Sequence, residues 1–431
     1  MQRTSLFRRA WSWLMRSLHQ LALHTYGIKK LLPIDLKDRV KLWLLWKSYQ
    51  GPMTNPSNSL ANAKGREGVN LFGFLERSTG LGEGARANVR ALRGTGILVE
   101  PIAFTEEELA HFRIPESMLN PGLFKFNLWH VNAAEAAFAL RSFGPHVFFE
   151  KFNIGYWAWE LERFPPDWDS AFRYFDEIWV PSEFVRKSIA ARANIPVIRM
   201  PHPVEVQPST QNYRAHFGIP VDRPVFLCMF DMLSSAERKN PWGAVHAFKA
   251  ACDGKRRAFL TVKVGSSNRN AAAMDLLRKE LEGLETLIID RDLPREEAVG
   301  LISACDGYIS LHRGEGFGLI NAEAMALGKA VVSTGYSGNM DFMNEQNSYP
   351  VKYKMIEIER KIGPYPKGYL WADPDIGDAA MKLQQIMDDP AAARKVGALA
   401  AEHIRTHYST AAVGKLLRAR LEELGLPAQT I

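Results

Sequence analysis

A chain of 431 residues is long for one hydrophobic core and comfortable for two, since domains cluster near roughly 100–150 residues. Hydrophobic residues make up 46% and charged residues 23%, close to globular averages, which excludes a disordered chain. The net charge of +7 is local: residues 1–66 hold twelve Lys/Arg against two Asp, and the rest hold 42 basic against 45 acidic residues, so a basic face that tracks nucleic acid is not supported.

Cys228, Cys252 and Cys305 lie far apart and form no CxxC, which points away from a disulfide framework or zinc site and toward a reducing cytosol. No run approaches the roughly 20 apolar residues of a spanning helix. In residues 1–27 Phe7, Trp11, Leu14, Leu18 and Leu21 recur at steps of four and three, with Arg8, Arg9 and Arg16 off the stripe, as in an amphipathic basic helix. "KDRVKLWLLWKSYQG" (37–51) repeats the mixture. Residues 1–50 therefore read as helices lying on an anionic membrane or packing on the protein or a second subunit. Residues 51–67, rich in Pro, Asn, Ser and Gly, read as a linker.

"GVNLFGFL", "ERSTGLGEGARANVRAL" and "ILVEPIAF" predict strand, glycine turn and helix, then strand, the unit of a doubly wound fold. Gly80, Gly82 and Ala85 satisfy G-x-G-x-x-A, with Glu100 where a dinucleotide-binding enzyme holds a ribose. Gly80, however, stands five residues past the strand instead of closing the turn, so an NAD-dependent oxidoreductase is a weak alternative. His130 follows an apolar strand at its carboxyl edge, where open α/β sheets bind ligands. Trp157, Trp159, Trp168 and Trp179 read as core, and Pro181-Ser182 as a helix start. "DWD" (167–169) has the form of a metal-binding DxD, but after Pro165-Pro166 it reads as a helix cap, and no metal is expected.

After "PVIRMPHPVE" (196–205), the crossing between domains, strands and helices alternate again through "PVFLCMFDM", "NPWGAVHAFKAAC", "AFLTVKVG", "AAAMDLLRKELEG", "ETLIIDRD", "PREEAVGLISAC" and "DGYISLHR". The expected fold is α/β, with two doubly wound Rossmann-like domains, residues 68–203 and 204–405, facing each other across a cleft, followed by residues 406–431. The last strand delivers Glu315 at its carboxyl edge. Gly316 and Gly318 then open the backbone, and "LINAEAMAL" is a helix with Glu323 near its first turns. Two carboxylates flanking backbone donors at a helix start suit a polyhydroxylated, phosphorylated ligand such as a sugar nucleotide.

"EGFGLINAEAMALGKAVVSTGYSGN" resembles the signature of retaining GT-B glycosyltransferases of family 4. "GYWAWELERFPPDW", "EIWVPSEFV", "ERKNPWGAVHAF" and "CDGYISLHRGEGFGL" resemble its branch in bacterial capsule, O-antigen and exopolysaccharide assembly, and the likeness spans roughly residues 68–405. The resemblance implies that Glu315 binds donor-sugar hydroxyls with Gly316, Phe317, Gly318 and Leu319. It implies that Glu323 holds the ribose, Lys239 contacts the diphosphate, His130 reaches the transferring sugar, and Gly80 and Gly82 face the phosphates. The family's arginine before that lysine is replaced by Leu233 or Ser234, leaving Arg238, Lys263 or Arg313 as the second cation. The resemblance also implies that residues 68–203 are the acceptor side and 204–405 the donor side, with the last helix in 406–431 packing back on the first. The implied activity is metal-independent hexosyl transfer, mannosyl or glucosyl foremost, from a GDP- or UDP-linked sugar without cofactor. The basic, Trp-rich residues 1–50 argue for a glycan or lipid-linked glycan acceptor at the cytoplasmic face of the membrane. A non-catalytic nucleotide-sugar-binding protein is the other alternative, against which the intact Glu315 and Glu323 weigh.

Overall fold

The computed structural model describes residues 63–427 apart from 78–79, 104–122, 137–138, 140–144, 149–150, 208–209 and 253–256. The basic helices expected over residues 1–50, and the linker up to residue 62, lie outside the described residues.

The apolar runs read as strands build two parallel sheets. The first comprises β1 (Arg66–Gly73), β2 (Val99–Ala103), β3 (Phe124–His130), β4 (Phe152–Tyr156), β5 (Glu177–Val180) and β6 (Val197–Arg199), in the order β2-β1-β3-β4-β5-β6. Neighbours along a strand point to opposite faces, and both Leu71 and Phe72 are fully buried, so the sheet is covered on both sides. Helices α1 (Gly80–Gly94) and α2 (Glu183–Ala190) belong to this half. Ser182 caps α2, its Oγ accepting from the Val185 amide at 3.3 Å.

In the second half α3 (Tyr213–Phe217) precedes β7 (Val225–Asp231), followed by α4 (Ala236–Lys239), α5 (Pro241–Ala251), β8 (Phe259–Gly265), α6 (Ala271–Leu281) and β9 (Thr286–Asp290). Then come α7 (Arg295–Ala304), β10 (Gly307–Ser310), α8 (Leu319–Ala326), β11 (Ala330–Thr334) and β12 (Tyr349–Val351). The strand order is β12-β11-β10-β7-β8-β9. The order reverses between β7 and β10 here and between β1 and β3 in the first sheet, and the carboxyl ends of such strand pairs form binding crevices.

The sequence reading missed an antiparallel hairpin, β13 (Tyr353–Glu357) with β14 (Leu370–Pro374), because β13 is largely exposed and neither strand carries a long run of apolar residues. The hairpin follows the second sheet in the chain, yet Ile358, Tyr365, Tyr369 and Trp371 at and beyond its strands join the first half's core with Trp157, Trp159, Phe164 and Phe172. Of the four expected core tryptophans, Trp157, Trp159 and Trp179 are fully buried and Trp168 packs against the same cluster. The "DWD" carboxylates lie in the first turn of a 3-10 helix (Pro166–Tyr174), not an α-helix, and no side chain caps its start. Asp169 is instead held by Arg192, Nε to Oδ1 at 2.7 Å.

Helices α9 (Ile376–Asp388), α10 (Pro390–His407) and α11 (Thr410–Glu423) end the chain. The last lies on the first half: Val413, Leu417 and Leu421 join Val69, Leu71 and Phe126. Among the described residues no helix is long and apolar enough to cross a membrane. Arg420 reaches from α11 to Glu177 at the foot of β5, its Nη2 2.5 Å from Oε2, and Glu177 also accepts from Trp179 Nε1 at 2.6 Å. Glu177 is 1% exposed, so truncating its partner leaves a buried, uncompensated carboxylate. Arg420→Ala is expected to lower unfolding free energy by about 3 kcal/mol, read by urea denaturation at pH 7.

Candidate active site

The crevice of the second sheet is lined by the segments leaving β7 and β10. The chain turns sharply after β7, with the Asp231 side chain accepting from the Leu233 amide at 2.8 Å and Ser235 (φ 64°) and Asn240 (φ 49°) both in left-handed conformations. Such backbone costs free energy for residues other than glycine and persists only where the surroundings hold it. Here Asn240 Nδ2 donates to the Leu311 carbonyl at 2.8 Å, and the Arg313 amide to the Arg238 carbonyl at 2.7 Å. Helix α4 is thereby pinned beside the end of β10.

That pinning brings Arg238 and Lys239 onto Glu315. Lys239 Nζ stands 2.5 Å from Glu315 Oε1, Arg238 Nη1 stands 3.2 Å from the same oxygen, and Arg238 Nη1 donates to the Gly314 carbonyl at 2.6 Å. Burial alone would raise the Glu315 pKa. Lys239 and Arg238 outweigh it and hold the carboxyl down at about 2, below an ordinary value of 4.5. For Lys239 burial wins and its pKa is lowered, whereas Arg238, facing Tyr365, Glu315 and Glu160, is held charged against its burial. His312, fully buried behind them, is pushed down to about 4 by burial and is neutral.

The first half meets this cluster directly. Glu160, from the loop after β4, accepts from Tyr365 Oη at 3.1 Å, and its carbonyl lies so close to Gly314 that a Cβ there has no room. Ser182 Oγ donates to the Gly316 carbonyl at 2.7 Å, and the Glu315 amide donates to Ser337 Oγ at 2.8 Å. Gly318, at φ 89°, takes a conformation that L side chains rarely adopt and opens the start of α8. Glu323, on α8 and 3% exposed, is met by Arg295 Nη1 at 2.6 Å. The same guanidinium stands 3.9 Å from Glu83, on α1 of the first half.

His130 ends β3, fully buried, stacked on Tyr156 at 4.3 Å and 3.0 Å from the Asn88 amide. Burial, then the neighbouring His202, pushes its pKa well below 6.5. His202, from the crossing segment, is lowered to about 4 and packs edge-on to Phe317 at 5.4 Å.

The structure thus brings Arg238, Lys239 and Glu315 together and places Gly316, Phe317, Gly318 and Leu319 directly after them. The Phe317 side chain is not part of an open surface, however: it packs with Phe342 and Tyr408. Of the three candidate second cations, Arg238 joins Lys239. Arg313 turns to Asp373 (3.3 Å) and the Trp371 ring, and Lys263 lies at the end of β8 near Asp231 and Asp292. In the glycine loop Gly82 and Gly84 are sterically required, since a Cβ would stand 2.5 Å from the Arg77 carbonyl and from His202 Cε1 respectively, whereas Gly80 faces nothing within 4 Å. Sequence reasoning missed Glu160, Tyr365, His202, Arg295 and His312. Only His312, three residues before Glu315, and Glu160, inside "GYWAWELE", carried a signal that could have found them.

Residues 209–403 match the family model of glycosyl transferases group 1. No curated protein matches the chain. Solved structures do: a glycosyltransferase from Rickettsia africae ESF-5 is 13% identical, with 83% of this chain and 99% of that one covered at a TM-score of 0.61. Sucrose-phosphate synthase from Thermosynechococcus elongatus is 15% identical over 83% and 99%, at 0.63, and Anabaena HepE in complex with UDP and glucose is 12% identical over 83% and 100%, at 0.58. At these identities the likeness is one of fold, and the fold is that of the GT-B glycosyltransferases. Arg238, Lys239, Arg295, Glu315 and Glu323 all fall within the stretch similar to glycosyl transferases group 1.

Because the Glu315 carboxyl is held down to about 2 in the fold against 4.5 ordinarily, its stabilisation is complete above pH 4.5 and lost as pH falls from 4.5 toward 2. Glu315→Gln is expected to be less stable than wild type at pH 7 by about 3 kcal/mol, a gap that narrows below pH 4.5 in urea denaturation.

Proposed function

We propose that the protein is a retaining, metal-independent glycosyltransferase that moves a hexose from a nucleotide diphosphate sugar to a hydroxyl of a growing, lipid-linked bacterial surface glycan. The observation that carries the reading is the Arg238–Lys239 pair gathered on Glu315 at the carboxyl ends of β7 and β10. A buried and a half-buried cation at a sheet's switch point suit a diphosphate, and the carboxylate they share suits sugar hydroxyls.

Nucleoside diphosphate leaves the anomeric carbon as the acceptor hydroxyl attacks from the same face, and the acceptor's proton passes to the departing phosphate. Negative charge on that phosphate is stabilised by Lys239 and Arg238, already fixed in place, so little reorganisation is needed at the moment of reaction. Glu315 holds the sugar's hydroxyls, Glu323 the ribose and His130, neutral, a further hydroxyl of the transferring sugar. The acceptor enters from the first half. The amphipathic basic stretch of residues 1–50 brings the enzyme to an anionic membrane, where a lipid-linked acceptor resides.

A thermal-shift panel of UDP-glucose, UDP-galactose, UDP-N-acetylglucosamine, GDP-mannose and NADH, with nucleoside diphosphate release measured for any binder, tests the reading. A sugar nucleotide at about 100 times its dissociation constant adds roughly 2.7 kcal/mol to the folded state and raises the melting temperature by a few degrees. A shift with NADH alone overturns the reading. Lys239→Ala is expected to fold and to lower turnover by on the order of a hundredfold. Deleting residues 1–50 is expected to abolish co-sedimentation with anionic liposomes and to leave nucleotide binding intact.

A further inference from the structure

One guanidinium touches three segments that meet at the crevice. Arg295, the first residue of α7, stands 2.6 Å from Glu323 Oε1 on α8 and 3.9 Å from Glu83 Oε1 on α1, and its Nη2 donates to the Glu205 carbonyl in the crossing at 3.5 Å. Glu323 and Glu83 are 3% and 8% exposed, but the Arg295 side chain is 40% exposed, so the cation can leave where the carboxylates cannot.

The groups facing Glu323 are Arg295 from α7, Glu83 from α1 and, more distantly, Tyr308 from β10. Glu83 has further partners in Arg90 (2.8 Å) and Arg86 (2.8 Å), whereas among these groups Arg295 is the cation that reaches Glu323. Two glutamates from opposite halves therefore approach each other across a single arginine. Ribose hydroxyls donate hydrogen bonds, and an ionised carboxylate accepts them best. A ribose on Glu323 would draw on the same carboxylate that Arg295 holds.

We propose that Arg295 is a placeholder for the nucleotide ribose: it covers the buried Glu323 carboxyl, ties it to Glu83 of the facing half, and gives up its place there as the ribose hydroxyls arrive. The inference rests on the ribose assignment of Glu323 in the preceding reading. It makes Arg295 a positioning residue, acting through Glu323, and couples nucleotide binding to a contact between the halves.

Without Arg295, burial and the neighbouring Glu83 both favour the protonated form of Glu323, whose pKa burial already raises. Nucleotide binding then requires loss of a proton, and affinity falls as pH drops. The test is calorimetric titration of wild type, Arg295→Gln, Glu323→Gln and the double variant with UDP and with GDP at pH 8.5, 7 and 6. Wild-type affinity is expected to change less than about threefold across the range, and that of Arg295→Gln to fall about tenfold between pH 8.5 and 6, the limit for one proton being tenfold per pH unit. The double variant is expected to be as flat as Glu323→Gln.

A flat profile in Arg295→Gln, or a slope that survives in the double variant, overturns the proposal. The Arg295–Glu323 contact is checked without nucleotide by urea denaturation. Arg295→Gln is expected to lose more stability at pH 8.5 than at pH 6, and Glu323→Gln in the same chain to restore it. No such pH dependence and no rescue also overturn the proposal. Absence of UDP and GDP binding in wild type, with the denaturation pattern intact, overturns the nucleotide-sugar reading instead and leaves the contact standing.

Discussion

A carboxylate is stable inside a protein only if cations and donors replace the water it gives up, and Glu315 is the point where this condition shapes the molecule. Two cations from the same short helix cover it, which requires the chain after β7 to double back through two left-handed residues and press against the end of β10. That geometry makes a fixed positive site at the switch point of a parallel sheet. It exists before any substrate contributes a charge, and preorganisation of this kind is what lets electrostatics act on a transition state.

The second sheet supplies the charges and the first supplies the wall. Glu160, its carbonyl against Gly314 and its carboxylate on Tyr365, sets how closely the loop after β4 approaches the Glu315 loop, and Ser182 fixes the next residue through the Gly316 carbonyl. Distances across the crevice are therefore set by hydrogen bonds to backbone and by missing Cβ atoms more than by packing of two independent surfaces. The neutral histidines His130 and His202 sit on the same seam. Their burial removes them from charge chemistry near pH 7 and leaves them as hydrogen-bonding and packing groups.

The strands were legible in the sequence because a sheet covered on both faces writes continuous apolar runs, as in "PVFLCMFDM" and "AFLTVKVG". The Glu315 loop was legible because glycines and carboxylates concentrate there. The hairpin over 353–374 was not, since β13 mixes charged with apolar residues on a largely exposed face and β14 is only five residues long. Nor were the partnerships. Nothing local in "DRDLPREE" says that Arg295 will meet an acidic residue from each half, because one partner, Glu83, lies more than 200 residues away in the chain and the other, Glu323, is on the next helix. Arg238, offered beside Lys263 and Arg313 as the companion of Lys239, could be distinguished from them only by the direction in which α4 turns.

The hairpin has one more implication. By chain it belongs with the second sheet, while Tyr365, Tyr369 and Trp371 are part of the hydrophobic core of the first, and α11 returns to cover Val69 and Leu71. Two architectural halves thus share one core: severing the chain at the crossing near residue 204 would strip these aromatic residues and α11 from the first half. The order in which the chain is synthesised means the first half cannot complete its own core until the last fifth has emerged.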